Sequence, residues 1–374
     1  MRAREGGARA GMLPYAGRAG TGTLGSTLVE HPYQEETTMN PLRSMRVVFG
    51  SLGLALGAML VVTTARAQAP APVTIKAVSA WSKSLFAHDM YLDWIERVNK
   101  AGAGKIKIDM IGGPEIYPSF EQLEPLRRNV FQTLVTSTAY IAGALPEVNA
   151  VWFGFGATPA QLREGGVAEA LDKITREKAG LAVLGFPVWN RFAVFTNKPV
   201  TKADLTGMKI RSTPVYEPVL KALGAAPVTV PPSEIVTALE SGIVDGFAFP
   251  SNSVVKPGFA RAIKFKLDPP WWVAADIALV NAKAFDALPA DVRKLMIDTM
   301  AAVERDTPAY FLGKEKEEDA ALLAMGVKTI DLPASEITRI QKIHWEQGTK
   351  LFLLERSPKY GKELVELMKK FAPK

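Results

Sequence analysis

The chain has 374 residues, no cysteine, three histidines and a formal net charge of +7. That length holds one or two domains with substantial cores. The missing cysteines exclude disulfides, thiolate metal sites, a cysteine nucleophile and a lipid-modified N-terminal cysteine, while saying little about compartment.

The first 67 residues divide in two. Residues 1–38 are Gly- and Arg-rich without apolar periodicity and read as an extension upstream of the true start, which falls at Met39 or Met45. Arg43 and Arg46 then precede an apolar run from Val47 to Val62, and Ala65-Arg-Ala67 places small residues where a signal peptidase reads. The run is 16 residues, short of the roughly 20 that a spanning helix needs. A signal peptide over about 39–67, cut before Gln68, is the reading, with a signal anchor as the alternative. Removing residues 1–67 takes away seven Arg and four Glu and leaves 38 basic against 34 acidic residues, a net +4. These charges lie mixed along amphipathic helices, as on a solvated surface and not a nucleic-acid face.

Val73–Val78 alternates like a half-buried strand. A helix over Phe86–Lys100 carries Met90, Trp94, Ile95 and Val98 on one stripe, and Gly102 and Gly104 can end it. Lys105–Met110 alternates again, Phe120–Asn129 reads helical and Phe131–Thr136 reads as a buried strand. This order predicts a mostly parallel sheet with right-handed crossovers.

A helix from Glu164 to about Ala179 leads to a strand at Leu181–Gly185. A second set begins with Phe192–Phe195 and Lys209–Arg211, and Trp189-Asn190-Arg191 reads as the crossover between two α/β blocks. Tyr216–Leu223 is helical, Ala226–Val230 is a strand, and Ser233 is an N-cap candidate after two prolines. The last third is mainly helical: Pro289–Met325, which Pro308 should kink or interrupt, then Ser335 to about Leu354, and Lys359–Phe371.

The stretch from Leu205 to Gly246 is the most informative. It contains Leu205-Thr-Gly-Met-Lys-Ile-Arg211, then Ala222-Leu-Gly-Ala-Ala-Pro-Val-Thr-Val-Pro-Pro-Ser-Glu234, then Ala238-Leu-Glu-Ser-Gly-Ile-Val-Asp-Gly246. Arg211 closes a short strand, so its flat fork of donors would face the crevice at the carboxyl end of the sheet, where a carboxylate could seat. These three blocks resemble the periplasmic solute-binding proteins of tripartite ATP-independent periplasmic (TRAP) transporters, of the C4-dicarboxylate-binding type, and the likeness extends over most of Val73 to Lys374.

The resemblance implies an α/β, two-lobed periplasmic-binding-protein (venus-flytrap) fold, with a mixed β-sheet in each lobe, flanking helices and a long lobe-spanning helix. Residues 73–190 with about 278–310 would form lobe I, 191–277 with about 326–374 lobe II, and about 289–325 the brace. It further implies no catalysis, residence in the periplasm and delivery of an organic acid to membrane permease subunits. In such proteins the arginine at the position of Arg211 holds the ligand carboxylate by two hydrogen bonds, and Arg191 matches a second ligand-facing arginine. For Arg191 the alternative is a hinge charge in solvent.

The chain departs from the family at Ala248-Phe-Pro250, where Phe249 occupies the place of a ligand-contacting Asn. That disfavours a compact, fully polar dicarboxylate, and the lack of an acidic residue there argues against cation-assisted binding. Phe249, Trp271, Trp272, Trp81 and Tyr140 could form an apolar wall, with ordinary core packing as the alternative for each. Asn252 and, more weakly, Tyr117 are polar candidates, and His88 could line the cleft or simply sit in its helix. Aromatic or branched 2-oxo or 2-hydroxy acids fit such a wall better than succinate does.

No His or carboxylate spacing suggests a metal site, no cofactor motif is present, and no Gly-x-Ser-x-Gly elbow or Walker loop occurs. A monomeric receptor is expected. The rivals are a sensor that presents its ligand to a membrane kinase and a periplasmic enzyme on the same lobes.

Overall fold

The computed structural model describes residues 71–373, so the leader, its start codon and its cleavage point lie outside the described residues. Within them, β1 (Val73–Ser79), α1 (Phe86–Ala101), β2 (Ile106–Gly112), α2 (Leu123–Arg127) and β3 (Thr133–Thr136) follow the expected order. The apolar stripe of α1 explains its place: Met90, Tyr91, Trp94, Ile95 and Val98 are buried. Gly102 closes the helix with its N–H on the Val98 carbonyl at 2.8 Å. α2 is shorter than its sequence suggests, because Asn129 takes a left-handed conformation (φ 59°) that a helix cannot pass. β1 lies between β2 and β3 and is parallel to both.

After a 3-10 segment over Pro146–Phe153 come α3 (Pro159–Glu164), α4 (Val167–Ala179) and β4 (Leu181–Thr196). The α3 start is a capping box in which Thr158 and Gln161 satisfy each other's backbone N–H. The two strands expected at Leu181–Gly185 and Phe192–Phe195 are therefore one strand of 16 residues, and the expected crossover at Trp189-Asn190-Arg191 falls inside it. Then follow β5 (Lys209–Ser212), α5 (Glu217–Ala222), β6 (Ala226–Thr229), α6 (Ile235–Glu240), β7 (Gly246–Pro250) and β8 (Phe265–Asn281). Ser233 is not the N-cap of α6: it lies inside a 3-10 turn, Pro232–Glu234, and no side chain caps the helix.

β4 and β8 pair antiparallel almost end to end, with irregularities near Gly185 and between Phe192 and Val194. On one side β8 continues to β3, β1 and β2; on the other β4 continues to β7, β5 and β6, while β9 (Lys328–Asp331) adds to β8. The two half-sheets are thus joined through a shared ribbon. Sequence reading did not find β8, since Asp268-Pro269-Pro270 interrupts its pattern.

α7 (Ala282–Asp286) precedes α8 (Ala290–Ala324), a single helix of 35 residues that Pro308 does not interrupt. Thr307, just before it, donates to the Val303 carbonyl at 2.8 Å and to Pro187 at 3.1 Å, tying this turn to β4. Three buried glutamates anchor the helix further. Glu304 accepts from Arg163 and from the Phe186 N–H at 2.8 Å, Glu315 faces Arg191 at 3.5 Å, and Glu318 takes the N–H groups of Val254 and Val255. Gly185 makes the first of these possible: its φ is +149°, and a Cβ there would collide with Glu304 and Arg163. α9 (Ala334–Gly348), a π-helical stretch over Thr349–Glu355 and α10 (Gly361–Lys369) complete the chain.

Candidate functional site: a buried arginine in an aromatic cavity

β5 carries Arg211 into the molecule, where it is 1% exposed. Burying a guanidinium is costly unless its donors are used. Its Nε donates to the Val230 carbonyl at 2.7 Å, and its Nη1 to the Tyr216 hydroxyl at 2.9 Å and, weakly, to the Ala248 carbonyl at 3.4 Å. The Nη2 atom is buried and has no partner. The group lies over the Phe249 ring, 5.5 Å from its centroid. Nε and Nη1 are thus engaged by the protein, and Nη2 alone is without an acceptor.

Arg211 lines a cavity of about 410 Å³, counting its opening to solvent. Trp81, Tyr140, Trp152, Phe192, Tyr216 and Phe249 provide its apolar wall, and Ser137, Asn190, Thr213 and Asp276 its polar points. The ribbon's alternation decides which side chains arrive here. Asn190 and Phe192 of β4 sit on the face shared by Asp276 and Trp272 of β8, with Phe192 stacked on Trp272 at 6.2 Å and 14°.

Arg191, between them, points the opposite way and meets Glu315 of α8. The structure therefore places it outside this cavity, in a separate hollow with Gln341, Lys370 and Phe371. Trp271 and Trp272 are fully buried one layer behind the wall, where Trp272 is sandwiched against Phe192 and His344. Burial pushes the His344 imidazole down to about 4, so it stays neutral there. Asn252 is also behind the lining, donating to Asn190 Oδ1 at 3.0 Å. His88 lies in a different hollow with Lys83 and Glu115, its pKa lowered by burial. Tyr117 packs on Phe131. Of the residues singled out from sequence, Arg211, Phe249, Trp81 and Tyr140 come together.

Sequence reading missed Asp276, Asn190, Phe192, Tyr216, Trp152 and Thr213. Asp276 is 2% exposed, with Asn190 Nδ2 at 3.5 Å from its Oδ2 and no partner on Oδ1. Burial raises its pKa to about 7, partly opposed by Ser137 and Asn190. Tyr216 is raised for the same reason, with Arg211 opposing. A fixed donor edge, an open carboxylate oxygen and aromatic sides define a receptor site for a small polar molecule with an apolar body. Among the described residues, no cluster of three or more His, Cys, Asp or Glu could hold a metal ion. No described helix is long and apolar enough to cross a membrane.

A two-lobed α/β receptor is what this fold and site define, and the class can be narrowed. Residues 77–351 match the family described as bacterial extracellular solute-binding protein, family 7, and the chain belongs to it. The C4-dicarboxylate-binding periplasmic protein of Rhodobacter capsulatus is 27% identical over 288 residues, covering 73% of this chain and 83% of that protein. A monocarboxylate 2-oxoacid-binding periplasmic protein of Nostoc is 26% identical over 297 residues, covering 76% and 80%. In three dimensions, a TRAP periplasmic solute-binding protein of Desulfovibrio salexigens with bound orotic acid superposes with a TM-score of 0.73. Its identity is 20%, with 80% of this chain and 98% of that one covered. The protein is thus a bacterial extracellular solute-binding protein of this family, a binding protein and not an enzyme.

Proposed function

We propose that the cavity binds one small organic acid by seating its carboxylate on the free edge of Arg211, and that the protein carries this acid in the periplasm to a TRAP permease. The observation that carries the reading is a buried guanidinium that lines an aromatic cavity and keeps its Nη2 without a partner. A carboxylate there would take one Nη2 proton, or one from each Nη atom at the expense of the weak 3.4 Å contact to Ala248. Phe249, Phe192 and Trp81 would hold the ligand's body. The two halves joined by β4 and β8, with residues 73–190 and 191–277 at their centres, are the lobes; the acid favours their closed arrangement because its contacts differ between the two states. A signal peptide over about 39–67 directs export and is then cut off before Gln68.

Mass spectrometry of acid released from natively purified protein tests this directly, followed by thermal shifts with a panel of small acids. A ligand that binds only the native state adds roughly 2.7 kcal/mol of stability at a hundredfold excess over Kd. Stabilisation by carboxylic acids and not by their amides or esters is the expected result. Stabilisation by sugars or amino acids with none by any organic acid overturns the reading.

A further inference from the structure

The proposed function uses Arg211 and leaves Asp276 unexplained. A carboxylate 2% exposed needs a cation or a set of donors to remain where it is. Among the described residues no Lys, Arg or His forms an ion pair with it. Its neighbours are the Ser137 hydroxyl and the Asn190 amide, the latter at a long 3.5 Å, and Oδ1 is left with nothing. Three titratable or charged groups on other elements face it across the cavity: Arg211 of β5, Tyr216 before α5 and Tyr140 after β3. Neither phenol supplies a charge near neutral pH, since burial raises both.

Seating a ligand carboxylate on Arg211 adds a second anion to the space that already holds Asp276. Two carboxylates in one small cavity repel, and the unpartnered Oδ1 needs a donor between them. The donor can come with the ligand, as an O–H or N–H near its carboxylate, or it can be made on Asp276 itself by uptake of a proton from water. A 2-hydroxy acid brings such a donor. The matching 2-oxo acid offers Oδ1 only another acceptor.

We infer that Asp276 is a specificity-determining residue that selects acids bearing an O–H or N–H donor near the carboxylate, and admits their 2-oxo counterparts only with uptake of one proton. This rests on the carboxylate site at Arg211 and adds what that site alone cannot give, a choice between two acids of the same size and charge. A group whose buried hydrogen bond is unmade is disfavoured by about 10- to 100-fold. The buried carboxyl titrates near 7, within a range that calorimetry can scan. Above that point the affinity for a 2-oxo acid should fall about tenfold per pH unit, as uptake of one proton requires, while that for the 2-hydroxy acid stays flat.

The test uses the mature protein, stripped of bound ligand, and two matched pairs: 3-phenyllactate with phenylpyruvate, and 2-hydroxy-4-methylpentanoate with 4-methyl-2-oxopentanoate. Titrations at pH 6 and pH 8.5, in buffers of different ionisation enthalpy, count the protons taken up. At pH 8.5 the hydroxy member of a bound pair should be at least tenfold tighter, and at pH 6 the gap should close. Asp276→Asn, whose amide can donate as well as accept, should erase both the preference and its pH dependence. Equal affinities within a pair at both pH values, or a tighter 2-oxo acid at pH 8.5, overturn the inference while leaving the carboxylate site standing, and the wild-type titration decides this whether or not the variant folds. If neither pair binds, the acid identified by mass spectrometry decides instead: one without an O–H or N–H donor overturns the inference. No organic acid at all counts against the proposed function first.

Discussion

Two groups of buried carboxylates in this molecule are treated differently. Along α8, Glu304 and Glu318 are surrounded by donors: an arginine and a backbone N–H for the first, two successive N–H groups for the second. In the cavity, Asp276 keeps an empty oxygen and Arg211 an empty nitrogen. All four groups are removed from water to a similar degree. Burial raises the pKa of each of the three acids, yet of these four groups only Asp276 and Arg211 keep a polar atom without a partner. Saturated charges fasten helix to sheet. The unsaturated pair, Arg211 and Asp276, is where the proposed ligand would complete the set.

The contrast breaks most visibly if a fastening charge is removed. Glu304→Ala leaves Arg163 and the Phe186 N–H without their partner and should cost about 3–5 kcal/mol in urea unfolding. Acid binding to the remaining folded protein should be little changed. Arg211→Ala should instead weaken binding by about 2–5 kcal/mol, roughly 30- to several-thousand-fold, because the ligand anion is left unpaired. It also strips a donor from Val230 and Tyr216, so calorimetry on Arg211→Lys, which keeps the charge without the fork, is a cleaner measurement; much of the affinity should still be lost. Arg211→Ala binding within about threefold of wild type would move the carboxylate elsewhere.

A third comparison uses pH. Asp276 titrates near 7 in the folded state against an ordinary aspartate near 3.8, so the native chain holds the extra proton between those values. Stability of the ligand-free protein therefore falls as pH rises from about 4 to about 7. Asp276→Asn should remove that fall, with a gain of up to about 4 kcal/mol that levels off above pH 7. The smallest effect belongs to Arg191. Its ion pair with Glu315 is partly exposed, so Arg191→Ala should change stability by about 1 kcal/mol or less and leave acid affinity within about threefold.

The blocks around Arg211 were legible because several independent signals agree there: a strand end, a helix start after paired prolines, and glycines at the turns. Arg191 shows where sequence reading runs out. One residue of register separates it from Asn190 and Phe192, and in a strand that is the difference between the cavity and the outer face. The register was set by β8, whose prolines hid it. Asp276 was invisible for the same reason. Its strand was not expected, and an isolated aspartate after Val273-Ala-Ala carries no motif. The aromatics divided by depth: Phe249, Trp81 and Tyr140 reach the cavity, while Trp271 and Trp272 support those that do.

The shared ribbon has a mechanical consequence. In β4 and β8 the chain passes between the lobes as paired strands and not as loose connections, so any change in their relative angle must be taken up as torsion along hydrogen-bonded backbone. Such a joint behaves like a leaf spring with set compliance. Its soft points are the irregularities near Gly185 and Phe192, where the ladder is already broken and twist accumulates most readily. Phe192 lines the cavity, so the proposed acid would rest its weight at one of the places where the spring bends.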